Sequence, residues 1–144
     1  MPASNEALKA INALKASAIL ATISAFSLSI AETYINWGHW QWWPYWLVDY
    51  IAALLLAIGS ILTFKNSIHA SKWLCTGWAF AIGMGWMSLS SNFDLGVPPE
   101  RAAKVGGYYI AMIVFGGAIA LSGLALALIG QNKKEIKTVS SCNS

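Results

Sequence analysis

Charge is what this chain has least of. Nine of its 144 residues are Lys or Arg and six are Asp or Glu, 10% in all, where an ordinary soluble domain carries about a quarter. A fold with a normally polar, water-facing surface is excluded on that ground. Cysteine is rarer still: Cys75 and Cys142 cannot build a disulfide framework. Cys142, third from the end, also misses the prenylation box by one position, so both cysteines read as free thiols.

Other absences narrow the chemistry. The only histidines, His39 and His69, are separated by a whole apolar stretch, roughly 30 Å at about 1.5 Å per helical residue, and cannot ligate one haem. No Ser, His and Asp are spaced as a hydrolase would need them. The glycine pairs Gly106-Gly107 and Gly116-Gly117 lack the Lys and Ser or Thr that follow in a phosphate loop. The formal charge of +3 is not organised into a basic face interleaved with groove-reading elements, so no nucleic-acid partner is implied. No cofactor is assigned.

What is abundant is apolar sequence: 57% of residues are hydrophobic and the mean hydropathy is +0.56. It is concentrated in four stretches, 16–31, 46–64, 73–89 and 105–129. A bilayer core about 30 Å thick needs about 20 mostly apolar residues per helix, and four such helices consume nearly the whole chain. The expected fold class is therefore an all-α integral membrane protein, a four-transmembrane-helix bundle with helices at about 6–31, 44–64, 70–91 and 104–129. Residues 1–130 form the single domain, and 131–144 are a polar, basic tail expected to be mobile. Lys9 and Lys15 before an apolar run that ends in Ser29-Ile30-Ala31 also fit a signal peptide. The segment is expected to remain as a first helix or signal anchor.

The lysines sort to alternate gaps. Lys9 and Lys15, Lys65 and Lys72, and Lys133, Lys134 and Lys137 put seven of nine basic residues on one side, which the positive-inside rule makes cytoplasmic. Both termini are then cytoplasmic, in a plasma membrane or a bacterial inner membrane. Between Glu32 and Asp49 the chain holds five of its eight tryptophans, an aromatic belt at the outer interface, with Pro44 suited to open the second helix.

Small residues mark the packing faces. Gly77, Ala81 and Gly85 recur every fourth residue in the third helix; Gly116, Ala120, Gly123, Ala127 and Gly130 alternate four and three in the fourth. Such stripes let helices approach closely in lipid, and a seven-residue repeat implies a left-handed seam. Trp78 and Trp86 lie eight residues apart on the third helix, as core aromatics or as contacts for a hydrophobic ligand such as a quinone, carotenoid or lipid tail. Glu32, His39, Asp49 and Asp94 map to the outer ends of the first three helices, where oxygen and imidazole donors suit a metal or a proton path. Asp49, within WLVDYIAALLL, is the most unusual, since an acid inside an apolar helix is costly.

The sequence favours a non-catalytic membrane subunit, packed through its small-residue seams against copies of itself or a larger membrane complex, with the lipid bilayer as its other partner. A transporter or hydrophobic-ligand-binding protein is the first alternative. A membrane enzyme or metal-binding protein using Glu32, His39, Asp49 and Asp94 is the second.

Overall fold

The computed structural model describes residues 2–37, 43–91 and 107–142, and every regular element in them is helical. The helices are α1 (Pro2–Asn36), α2 (Trp43–Phe64), α3 (Ala70–Ser91) and α4 (Gly107–Cys142). α1, α2 and α4 each contain a run long and apolar enough to cross a membrane: Asn5–Tyr34, Trp46–Phe64 and Ile110–Gln131. α3 falls short because Gly, Ser and Trp fill it. α4 continues as helix through Cys142, well into the segment 131–144 that the sequence assigns to a tail.

Neighbouring helices run antiparallel around a square. α1 packs on α2 and α4, α3 packs on α2 and α4, and only the α1–α3 diagonal is also bridged. One end of the square gathers the start of α1, the α2–α3 turn and the end of α4, and with them the lysines; it is called here the basic end. The other, where α1 meets α2 and α3 leads to α4, is the tryptophan end. α1 and α4, at 35 and 36 residues, each exceed the 22-residue α2 and α3 by more than a dozen. At about 1.5 Å per residue they outreach the α2–α3 turn by roughly 20 Å at the basic end.

That turn is a Schellman cap. Asn66 takes a positive φ of 55°, which its short polar side chain tolerates, and the amides of Asn66 and Ser67 bond to the carbonyls of Thr63 and Leu62. Ser67 then starts α3, its carbonyl receiving the Ala70 amide.

The core is built of small residues. Nine of the thirteen buried hydrophobics are alanine, joined by Leu14, Leu56, Leu74 and Trp78, while among the described residues twenty-five large apolar side chains, such as Ile23, Phe26, Leu54 and Phe115, are exposed. In water this order is inverted, because burial of large apolar groups drives folding. It suits lipid, where the outside is as apolar as the inside and packing decides which face turns in. Hydroxyls inside helices are folded back as well: Thr22, Ser29, Thr63 and Ser122 each donate to the carbonyl four residues earlier at 2.8–2.9 Å, which satisfies these groups without water.

Close approach of a neighbouring helix explains four glycines. A methyl at Gly59 would lie 2.9 Å from the Leu74 amide nitrogen, and one at Gly77 would lie 3.1 Å from that of Leu56, so α2 and α3 touch nearly backbone to backbone. A methyl at Gly130 would meet Leu14 at 2.9 Å, and one at Gly123 would overlap the Trp78 indole. The α4 seam expected from the sequence thus closes on α1 and α3 of the same chain.

Candidate functional site

Two polar clusters link helices, one at mid-bundle and one at the tryptophan end. At mid-bundle Trp78, 1% exposed, crosses from α3 to α1 and donates its indole N–H to Ser17 Oγ at 3.0 Å. Ser17 in turn donates to the Gly123 carbonyl at 2.8 Å. The serine has one hydrogen to give and lone pairs to receive, so this chain satisfies every group in it and ties α3, α1 and α4 at one point. Close by, Ser60 shares its hydrogen between the carbonyls of Ala18 at 3.0 Å and Leu56 at 2.9 Å, tying α2 to α1. These are structural joints: each hydrogen in them is spent inside the bundle, and both serines are buried.

At the tryptophan end the last turns of α1 face the first turns of α2. The Glu32 and Asp49 carboxyl groups lie close to one another, and one residue further along, Thr33 Oγ1 and Tyr50 Oη lie 2.7 Å apart. Thr33 already gives its hydrogen to the Ser29 carbonyl at 2.7 Å, so Tyr50 is the donor. Trp46 packs edge-on against the Tyr50 ring, centroids 5.9 Å apart at 85°. The antiparallel packing that puts Ala18 beside Ser60 brings the last turns of α1 alongside the first turns of α2, about one turn out of level, a gap that the long Tyr50 side chain spans to reach Thr33.

Of the four residues expected to form an outward-facing site, Glu32 and Asp49 come together. His39 and Asp94 lie outside the described residues. Among the described residues no three His, Cys, Asp or Glu side chains assemble as a metal-ligand set. An open groove of about 390 Å³ runs along the same end of α1, lined by Ser29, Ile30, Thr33, Tyr34 and Trp37.

The two tryptophans expected on one face of α3 are separated: Trp78 is in the core, whereas Trp86 is 69% exposed on the outside of the bundle. Eight residues at 3.6 per turn leave them about 80° apart, enough to move Trp86 off the inner face. The small-residue stripes divide similarly. Gly77, Ala120, Gly123, Ala127 and Gly130 are buried and Ala81 is half-buried, but Gly85 and Gly116 meet nothing. Cys75 donates a long contact of 3.8 Å to Gln131 Oε1 near the basic end. A tryptophan away from the interface is expected to give its indole N–H to a Ser or a backbone carbonyl of a neighbouring helix, and Trp78 does so at Ser17; which serine it meets, and the onward bond to Gly123, are set by the packing of α1, α3 and α4. Comparison with protein-family models, with curated proteins and with solved structures gives no match.

Proposed function

We propose that this chain is a four-span integral membrane protein, both termini cytoplasmic, that serves as a non-catalytic subunit and associates laterally with copies of itself through the tryptophan-end halves of α3 and α4. One observation carries this reading. Gly59, Gly77, Gly123 and Gly130 are each tightly packed, but methyls at Gly83, Gly85, Gly116 and Gly117 would meet no atom within 4 Å. The register that pairs Trp78 with Gly123 puts Gly85 level with Gly116, so the stripes of α3 and α4 run out of partners at the same depth. Glycine costs a helix about 1 kcal/mol relative to alanine, and an unused close-packing surface in lipid is what a second helix pair would fill.

Light scattering of the protein in a mild detergent tests it. Assemblies of two or more chains are expected, and replacing Gly85 and Gly116 with Leu is expected to dissociate them while changing subunit stability by no more than about 0.5 kcal/mol, as for other open positions. A wild-type particle of one 15.5 kDa chain would contradict the proposal.

The proximity of the Glu32 and Asp49 carboxyl groups favours a second reading, in which the outer end holds and exchanges a proton or cation. Glu32→Gln supplies a donor permanently and is expected to keep the α1–α2 contact while abolishing proton exchange there. Thermal unfolding followed against pH checks this. In the near-neutral and acidic range the wild type should show a pH dependence that the variant lacks, and equal profiles would sink this second reading.

A further inference from the structure

The lysines of the basic end are arranged by depth. Lys65 directly follows the last residue of α2, and Lys72 is in the first turn of α3. Lys15 lies three residues before Ala18, whose carbonyl receives the Ser60 hydroxyl, so antiparallel register sets it level with the final turn of α2. Lysines from α1, the α2–α3 turn and α3 thus stand at the height where the α2 apolar span ends. Lys9 and the α4 positions 133 and 134 form a second tier further out, since Gly130 packs against Leu14 and Ala10.

All four described lysines are exposed, and Lys15, Lys65 and Lys72 form no salt bridge among the described residues; Lys9 stands 4.0 Å from the exposed Glu6, a pairing of little energetic consequence. Counted along the whole chain, the basic end carries seven basic residues against Glu6 and Glu135. Apolar side chains stand exposed between these charges: Phe64 at 55% and Ile68 at 74% flank Lys65, and Trp73 adjoins Lys72. Nucleic acid or an acidic protein would match the charge but leave those apolar groups in water. The boundary between headgroups and acyl chains matches both, with the aliphatic stem of each lysine running through the apolar layer to a charged tip.

We propose that the basic end is a binding surface for anionic phospholipids, whose phosphates are held by Lys15, Lys65 and Lys72 while Phe64, Ile68 and Trp73 contact the upper acyl chains. The proposal rests on the membrane reading above but is independent of which side the basic end faces.

Electron spin resonance of spin-labelled phosphatidylglycerol and phosphatidylcholine in proteoliposomes of the full chain tests it. Both lipids are expected to show a motionally restricted component, with phosphatidylglycerol favoured about two- to fivefold, the scale of one lysine near a charged surface. That preference should shrink at high salt and vanish in the variant K15Q/K65Q/K72Q. Equal association of the two lipids in the wild type, or a preference that salt and the triple substitution both leave intact, would overturn the proposal. So would displacement of phosphatidylglycerol by inorganic phosphate beyond the effect of sodium chloride at equal ionic strength, which would mark a free-anion site. Absence of any restricted component for either lipid would instead show that the chain is not in the bilayer, and both readings would fall.

Discussion

Gly123→Ala is expected to destabilise the bundle by roughly 3 kcal/mol, at the upper end of the usual range for overpacking. The added methyl would occupy the space of the Trp78 indole, and neither partner can move cheaply. Trp78 is held by its bond to Ser17, and Ser17 by its bond to the carbonyl of Gly123 itself. Shifting α4 outward would break the second bond and open the packing of Ala120 and Ala127; rotating the indole would break the first. The same substitution at Gly116, where the space is empty, should change stability by no more than about 0.5 kcal/mol. Unfolding by detergent titration compares the two, and equal losses would mean that the seam does not close on Trp78.

Trp78→Ala is expected to cost about 3 to 5 kcal/mol, the range for deleting a buried aromatic side chain. Trp78 is the largest fully buried side chain and the only one joining α3 to α1 across the diagonal by a hydrogen bond among the described residues. Its loss leaves a void that small alanines cannot close. Trp78→Phe should cost less, about 1 kcal/mol beyond the change in size, because Ser17 keeps its bond to the Gly123 carbonyl and loses only a donor. The double variant Gly123→Ala, Trp78→Ala is the sharper check. Each change relieves the other, so the combined loss should fall short of the sum by more than about 0.5 kcal/mol, the limit within which independent sites add.

The four helices were legible because long apolar segments announce themselves by length and composition, and α1, α2 and α4 do so plainly. α3 was legible only as a stretch of Gly, Ala and Trp with a single charge, Lys72. Which face of each helix turns inward was harder to read. α1 is apolar on all sides, and its inner face is set by side-chain size, with Ala18, Ala21 and Ala25 buried and Ile19, Ile23 and Phe26 outside. Size stripes showed this for Gly77 and Gly123 but gave no reason to stop at Gly85 and Gly116, since a stripe does not reveal where two helices part. Trp86 was misread with Trp78 for the same reason, as an eight-residue spacing drifts off the face. Of the candidate site, Glu32 and Asp49 were mapped to one end, but their proximity depends on the antiparallel packing of α1 and α2, which no local pattern encodes. His39 and Asp94 lie outside the described residues, so their part in that site stands as the sequence states it.

Membrane topology is the claim on which the rest depends, and thiol labelling measures it directly. In a Cys75→Ser background, Cys142 remains as the label site at the basic end, and Gly38→Cys adds one in the α1–α2 connection at the other. With an impermeant maleimide applied to sealed right-side-out vesicles, position 38 is expected to react at once and Cys142 only after permeabilisation. If both positions react from the same side of intact vesicles, the chain does not cross the bilayer between them and the four-span bundle is wrong.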